Sequence, residues 1–212
     1  MKRKWVLWSV LVLMTGACAA VWYVGWRHNS TNSLKTALLP YGWYRHGEGY
    51  KIEVDHGVTH GGNSSVLIRY AGAAGSARDE DNPFGTLLQR FKADDYRGRT
   101  VRLSAYVRTE EADWAALWLR VDGQMKPSLR FDNMQDRPIR GTNDWQKYEI
   151  TLDVPEDGLR IFFGALLGGE GKMWVDDFRF EVVEGGTARG APESAPAGSD
   201  TSLRPVDLDF EQ

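Results

Sequence analysis

Apolar and polar residues alternate in short segments along much of the chain. In residues 100–109 every second position is apolar, at Val101, Leu103, Ala105 and Val107. Because successive side chains of a β-strand point to opposite faces, this period of two predicts a strand with one face in the core. Clusters of Gly, Asn, Asp and Pro separate such segments and favour turns. Between Tyr41 and Val183 the pattern predicts an all-β sandwich.

Further segments of this kind are residues 51–55, 64–70, 85–93, 114–122, 127–133, 145–154, 159–167 and 173–183. In residues 114–122 we expect Leu117, Leu119 and Val121 in the core, and Trp114, Trp118, Arg120 and Asp122 on the opposite face. In residues 145–154 the expected core positions are Tyr148, Ile150, Leu152 and Val154. No segment after residue 41 shows a sustained helical stripe, so we expect strands and turns.

An uncharged apolar segment, residues 5–26, lies near the start of the chain. Its length is enough to cross a bilayer as a helix. Residues 1–4 precede it and are basic at Lys2, Arg3 and Lys4, so the positive-inside rule predicts a cytoplasmic N-terminus and an exported remainder. Residues 27–40 are polar and are expected to form a stalk. We therefore expect a single-pass protein of a bacterial inner (plasma) membrane, with its domain on the extracytoplasmic side.

Two other fates of this segment stay open from the residues. Ala17-Cys18-Ala19 has the small-x-small form of a signal-peptidase site, and residues 15–18 loosely resemble a lipoprotein box. The apolar run continues past Cys18, which favours an uncleaved signal anchor. All three fates export the rest of the chain.

The C-terminal region divides into a linker and a short apolar segment. Residues 184–205 are rich in Gly, Ala, Ser and Pro, a composition that favours a flexible linker. Residues 206–212 alternate again, with Val206, Leu208 and Phe210 on one side. Because an exposed apolar strand invites pairing with other chains, we expect this segment to dock on the sandwich as a strand.

Composition and motifs narrow the function. The net charge of -3 and the scattered Lys and Arg residues argue against a nucleic-acid partner. Cys18 is the only cysteine, so no intramolecular disulfide can form. The chain has no G-x-S-x-G, H-E-x-x-H or P-loop motif, and His56 and His60 flank turn-forming glycines rather than share a helix face. We therefore expect no enzyme activity.

Several segments resemble a known family. The segments FDNMQDRPIRGTNDW (131–145) and WVDDF (174–178) are the most specific of them, and the similarity extends over about residues 41–183 and the LDFE of the C-terminus. They resemble the bacterial galactose-binding-like jelly-roll domain, similar to carbohydrate-binding modules, that is attached to some AraC-type transcriptional regulators. The resemblance implies a jelly roll more securely than a function. The sequence departs from those regulators in showing no helix-turn-helix.

The same resemblance implies a site for a structural calcium ion. In carbohydrate-binding modules of this shape, an LDFE-like first strand pairs with the last strand, and carboxylates from both help to hold a structural Ca²⁺. Here the motif lies at the other end of the chain, so Glu211 would meet Asp176 or Asp177 if the C-terminal segment docks beside WVDDF. The alternative is that Asp176 and Asp177 mark a β-bulge or a hydrogen-bonded strand end without a metal. No other cofactor is expected.

One face of the sandwich carries the candidate ligand-binding residues. They are Trp114, Trp118, Arg120, Tyr106 and Arg102, with Arg130 and Asp132 added. Sugar rings stack their CH faces on aromatic side chains, while their hydroxyls need polar partners of fixed geometry. The alternative is that a loop covers these aromatic residues, in which case they are structural.

Three functions are compatible with these features. The first is a membrane-anchored, extracytoplasmic, non-catalytic domain that binds carbohydrate or another envelope component. The second is a protein–protein interaction or assembly module of the cell envelope, with an envelope protein as partner. The third is an accessory module of a hydrolase.

Overall fold

The computed structural model describes residues 39–72, 83–183 and 204–211. They belong to one compact unit, Leu38–Gln212. The predicted N-terminus (1–4), membrane anchor (5–26) and almost all of the stalk (27–40) lie outside the described residues, as does most of the predicted linker (184–205). Within the ranges described here, no helix is long and apolar enough to cross a membrane.

Nine antiparallel strands make up the described part of the chain, which confirms the all-β prediction. Their bounds are β1 Tyr44–His46, β2 Tyr50–Asp55, β3 Ser65–Tyr70, β4 Phe84–Lys92, β5 Thr100–Gly123, β6 Arg130–Asp132, β7 Ile139–Asp153, β8 Gly158–Gly168 and β9 Lys172–Val182. Each strand predicted between Tyr41 and Val183 corresponds to one of them or to part of one. The alternation does not predict β1, which has only 3 residues.

The strands form one continuous hydrogen-bonded sheet, and the long strand β5 joins its two layers, which are called here the first and the second sheet. The first half of β5 pairs with β7 and β9, and β9 continues to β3 and β2. Its second half pairs with β6 and β8, and β8 continues to β4 and β1. The pairing with β7 shifts register between Val107 and Ala115, and Glu111 in this region has a φ of 51°. Such bulges bend a strand, so one strand of 24 residues serves both sheets where two strands were predicted.

The core lies between the two sheets and follows the predicted alternation. The positions predicted inside β5 are all buried: Val101, Leu103, Ala105, Val107, Leu117, Leu119 and Val121. In β7, Ile150 is buried, as is Val154 just beyond the strand, while Tyr148 and Leu152 are partly buried and pack against the core. The opposite face of each half of β5 therefore points away from the core.

The C-terminal segment packs on the sandwich, but it is not a strand. Its backbone turns at Asp207 and Phe210, with φ values of 47° and 59°. Gln89 donates to and accepts from the backbone of Val206, at 2.8 Å each way, and the Phe178 amide of β9 donates to the Leu208 carbonyl oxygen at 2.9 Å. Phe210 is 1% exposed, with its ring centroid 5.2 Å from that of Trp43. The strand prediction is wrong because left-handed residues interrupt the extended backbone.

Candidate functional site

A cavity of about 640 Å³ lies on the outer face of the second sheet. The strands β1, β4, β8 and β5 and the region around β6 supply its walls, through Tyr44, His46, Phe84, Thr86, Leu88, Arg90, Trp114, Trp118, Arg120, Phe131, Asn133, Phe162 and Leu166. Because alternate residues of a strand share one face, the cavity residues of β4, β5 and β8 have even numbers. Their odd-numbered neighbours, such as Leu87, Leu119 and Phe163, are buried in the core.

Trp118 forms part of the cavity floor. Its Nε1 donates to Thr86 Oγ1 at 3.0 Å, and Thr86 Oγ1 donates in turn to the Ala165 carbonyl oxygen at 2.9 Å. Only 8% of Trp118 is exposed. Its indole N–H is therefore satisfied within the protein, and the ring is held in one position.

One glycine of β8 makes room for the ring of Trp114. Trp118 lies opposite Gly164, and Trp114 lies opposite Gly168. A Cβ atom on Gly168 would lie 2.0 Å from the Trp114 ring, so this ring packs directly over the glycine. Trp114 is half-buried in this position.

Arg120 lies over an aromatic ring at one end of the cavity. Its Cζ is 4.6 Å from the centroid of Phe162, the residue opposite it on β8. Asp122 pairs with the guanidinium, at 2.9 Å between Nε and Oδ1 and 3.0 Å between Nη2 and Oδ2. On the other side of β8, Arg90 of β4 also lies opposite Phe162, and its Cζ is 5.3 Å from the Tyr44 ring.

Three exposed aromatic side chains surround the cavity. Tyr44, Phe84 and Phe131 are 48%, 41% and 50% exposed. They provide apolar ring faces beside the guanidinium groups of Arg90 and Arg120 and the amide of Asn133. Such a mixture of apolar surface and a few polar groups is typical of small-molecule sites.

Two of the predicted ligand-binding residues lie on the other sheet. Tyr106 and Arg102 belong to the first half of β5, away from the cavity. The imidazole of His60 stacks on Tyr106, with ring centroids 3.5 Å apart, and Arg102 pairs with Glu181 at 3.2 Å. The loop that carries His60 thus covers Tyr106.

Two more predicted residues, Arg130 and Asp132, do not line the cavity, because of the strand register. Phe131 pairs with Arg120, so Phe131 shares the face of Arg120, while its neighbours Arg130 and Asp132 point the other way. Asp132 instead accepts from the Met134 amide at 2.7 Å and pairs with Arg137 at 2.6 Å. The structure thus brings together Trp114, Trp118 and Arg120. On β6, Phe131 lines the cavity in place of the predicted Arg130 and Asp132.

The cavity residues that the sequence prediction missed are mainly Tyr44, Phe84, Arg90, Phe131 and Phe162. Arg90 and Phe162 lie in segments that the alternation predicts as strands, 85–93 and 159–167, but the sequence analysis assigned no faces to these strands. The missing information was the order of the strands in the sheet, which places β4 and β8 beside the second half of β5. No short-range pattern specifies that order.

The three carboxylates predicted to hold calcium contact the loop of residues 56–64, which connects β2 and β3. Asp176 Oδ2 accepts from the His60 amide at 2.9 Å, and Asp177 Oδ2 lies 2.7 Å from His60 Nδ1. Glu211 Oε1 accepts from the Asn63 amide at 2.7 Å. Their oxygens thus face N–H groups, as in the alternative without a metal, and Asp177, with a φ of 50°, lies at a β-bulge.

The described residues include no group of three or more His, Cys, Asp or Glu side chains that could hold a metal ion. The residues present therefore fit a hydrogen-bonded loop better than a calcium site, and calcium binding stays a prediction. Burial raises the pKa of Asp176, while the Asn63 backbone N–H lowers the pKa of Glu211. A falling pH therefore favours the folded state through Asp176 and disfavours it through Glu211.

Comparison with known proteins gives one curated relative and several solved structures. No family model matches the chain. The relative is the uncharacterized HTH-type transcriptional regulator YbfP of Bacillus subtilis (strain 168), 37% identical over 173 residues. The match covers 77% of this chain and 53% of the regulator, so the chain spans about half the length of that relative. The resemblance of this chain to the domain attached to AraC-type regulators stays a prediction.

Two similar solved structures are xylan-binding or carbohydrate-binding modules. The CBM22-1 xylan-binding domain of Paenibacillus barcinonensis Xyn10C is 12% identical, with a TM-score of 0.50 and coverage of 71% of this chain and 92% of that one. The C-terminal family 22 carbohydrate-binding module of Clostridium thermocellum Xyn10B is 13% identical, with a TM-score of 0.50 and coverage of 68% and 87%. At such identities the likeness shows a shared fold alone. The prediction of a fold similar to carbohydrate-binding modules is confirmed.

Proposed function

We propose that this chain is a non-catalytic domain that binds carbohydrate in the cavity of the second sheet. The observation that carries the proposal is the combination of three exposed aromatic side chains, Tyr44, Phe84 and Phe131, with two arginines around one cavity. Sugar rings offer apolar CH faces for such aromatic rings, and their hydroxyls accept hydrogen bonds from guanidinium groups. The volume of about 640 Å³ lies within the range of roughly 300–1,000 Å³ that is common for ligand sites.

The comparisons support this proposal through the shared fold. A solved structure with this fold is named as a xylan-binding domain, and another as a carbohydrate-binding module of a xylanase. The regulator relative is a protein of another kind, so we infer the ligand of this chain from its own cavity residues. For this reason we propose neither xylan nor DNA as its ligand.

The proposed location is the extracytoplasmic side of a bacterial inner membrane. The apolar residues 5–26, after the basic residues 2–4, support a single-pass anchor in this orientation. A binding domain in this place would meet glycans of the cell envelope. Immunoblotting of cells after protease treatment of spheroplasts tests the location, because an exported domain is digested while a cytoplasmic protein is not.

A second candidate function is docking of an envelope protein on the same surface. The exposed rings of Tyr44, Phe84 and Phe131 favour it, because aromatic residues are enriched in protein interfaces. This alternative predicts capture of a protein partner, lost in Phe131→Ala, without any response to glycans. A role as accessory module of a hydrolase would require glycan binding as well, and is therefore an extension of the first function.

Glycan binding is tested by thermal melting of the full chain, purified in a detergent that has no sugar headgroup, against a glycan panel. A ligand that binds only the folded state raises the melting temperature. We expect Tyr44→Ala to abolish the shift. Tyr41→Ala is the matched control, because Tyr41 is also 48% exposed and does not line the cavity.

A cooperative melt with no shift for any glycan would contradict the proposal. Equal losses in Tyr44→Ala and Tyr41→Ala would place glycan binding outside the cavity. Melting in calcium and in chelator tests the predicted calcium site at Asp176, Asp177 and Glu211, since a structural ion raises the melting temperature.

A further inference from the structure

The strand β7 forms one edge of the first sheet, and its outer backbone edge is open within the part of the chain that the structure describes. β7 pairs with β5 alone, in regular register over residues 146–153. The Val154 amide donates to the Arg99 carbonyl oxygen at 2.8 Å, so Val154 and every second residue before it turn their N–H and C=O groups toward β5. The N–H and C=O groups of Lys147, Glu149 and Thr151 therefore point to the open edge, where another strand can add.

The other edge of the first sheet, β2, is occupied by its own chain. The Gly49 carbonyl oxygen faces β3, so the same alternation turns the Ile52 carbonyl oxygen outward, and Arg45 Nη1 donates to it at 3.0 Å. Glu53 of β2 is paired with Arg69 at 3.3 Å. With 15 residues against 6 in β2, β7 is also the longer of the two edge strands.

The outer face of β7 carries two opposite charges that are not neutralised within the chain. Lys147 and Glu149 are exposed, and neither forms an ion pair with a described residue. In contrast, Arg102 and Glu181 on the same face of this sheet pair with each other at 3.2 Å. Charged side chains on an edge strand usually discourage pairing with another chain. Two opposite charges placed two residues apart remove this obstacle in one register.

We propose that β7 pairs antiparallel with β7 of a second copy of this chain, about a two-fold axis at Tyr148, so that the two first sheets become continuous. In this register Lys147 lies directly opposite Glu149 of the second copy, and the converse pair follows from the symmetry. Opposite charges in directly opposite positions stabilise a strand pair. The outward N–H and C=O groups of these residues bond to each other. An axis at Lys147 or at Glu149 would instead bring like charges together.

The residue on the proposed axis suits the contact. Tyr148 is half-buried and packs against the core. Because its backbone groups face β5, it forms a non-hydrogen-bonded pair with Tyr148 of the second copy, in which the Cα atoms are about 4.5 Å apart and the side chains lie close. Aromatic pairs in opposite positions stabilise strand pairing. No residue of β7 lines the cavity of the second sheet, so the inference does not depend on the proposed ligand.

Sedimentation of the full chain, in a detergent without a sugar headgroup, tests the charges. Lys147→Glu and Glu149→Lys each place like charges opposite one another and should weaken self-association about tenfold or more. An equimolar mixture of these two variants restores opposite charges at every position and should dimerise as the parent chain does, as should the double variant. Lys51→Glu, at an exposed lysine of the edge strand β2, is the matched control and should leave the dimer unchanged.

A cysteine cross-link tests the register in a Cys18→Ser background. Tyr148→Cys should form a disulfide between two copies under mild oxidation, because Cα atoms about 4.5 Å apart lie within the range of roughly 4.4–6.8 Å that disulfides need. Thr151→Cys is the control, since Thr151 is an exposed residue of the same strand. It lies three residues from the axis, so the two Cα atoms would be roughly 20 Å apart and should not cross-link.

A parent chain that stays monomeric at every concentration would overturn this inference. A dimer that persists in both single-charge variants would do the same, because the apolar residues 5–26 or another surface would then join the copies. A mixture that does not associate, or a Thr151→Cys cross-link as strong as that of Tyr148→Cys, would exclude the proposed register. None of these measurements uses a saccharide, so their failure and the failure of the glycan proposal are distinguishable.

Discussion

The two halves of β5 present the same alternation outwards, yet the surfaces above them differ. On the first half, Tyr106 lies under the imidazole of His60, with ring centroids 3.5 Å apart. On the second half, Trp118 and Arg120 face a cavity whose surrounding rings, such as Tyr44 and Phe131, are about half exposed. On the first surface the chain itself covers Tyr106, whereas on the second surface the rings around the cavity are exposed.

The cover on the first half depends on contacts between distant parts of the chain. Asp176 of β9 accepts from the backbone of His60, and Glu211 of the C-terminal segment accepts from the backbone of Asn63 and Ser64. These carboxylates hold the 56–64 loop over Tyr106. An aromatic residue on an outward strand face is thus a ligand-binding candidate only where no such loop is held above it.

The largest expected effect comes from removing the C-terminal anchor of this cover. Phe210→Ala should lower the free energy of unfolding by about 3–5 kcal/mol, the usual cost of truncating a buried phenylalanine. Phe131→Ala at the cavity should change it by less than about 1 kcal/mol, because this ring is half exposed. Urea unfolding followed by fluorescence measures both. Equal losses in the free energy of unfolding would show that the buried Phe210 and the exposed Phe131 do not differ in their contribution to stability.

A smaller effect is expected in the floor of the cavity. Thr86→Val leaves the buried Nε1 of Trp118 without its acceptor, which should cost about 1–3 kcal/mol. Thr142→Val is the control: the exposed Thr142 accepts from the Glu111 amide at 3.0 Å, and water can replace it. Urea midpoints of the two variants give the comparison. If Thr86→Val is as mild as Thr142→Val, the Trp118 ring does not depend on this hydrogen bond.

These residues also show how far the sequence predicts the structure. Alternation assigned Leu117, Leu119 and Val121 to the core because side-chain direction in a strand is a local property. It could not reveal that His60 covers Tyr106, since that contact joins residues far apart in the chain. Arg130 and Asp132 were placed on the wrong face because the turn before β6 sets its register.

The stacking of His60 should contribute less than the buried hydrogen bond of Trp118. His60→Ala removes an aromatic stack worth roughly 0.5–1.5 kcal/mol and should lower the free energy of unfolding by about 1 kcal/mol. His46→Ala, on the exposed surface of the cavity, should change it by less than about 0.5 kcal/mol. Chemical unfolding distinguishes the two variants. A His46 effect equal to that of His60 would show that the second surface is also covered in solution.

The smallest effect concerns the charge of Glu211, and its signature is pH dependence. The Asn63 backbone N–H lowers the pKa of Glu211 in the folded chain below its ordinary value of 4.5. A lowered folded pKa means that the ionised group stabilises the fold above the unfolded pKa, and that this contribution is lost as the pH falls through the folded pKa. Glu211→Gln should therefore melt below the parent chain at neutral pH, and the difference should shrink as the pH falls below about 4.5.

Melting curves from neutral to acidic pH measure this difference. Asp176, whose pKa burial raises, has the opposite dependence, but it is present in both proteins and cancels in the comparison. Glu181→Gln serves as control, because Glu181 forms an exposed ion pair with Arg102 on the same sheet, and such pairs contribute little. A Glu211→Gln difference that stays constant with pH would show that the loop over Tyr106 is not held by the carboxylate charge. The C-terminal segment would then support the cover through Phe210 and its backbone alone.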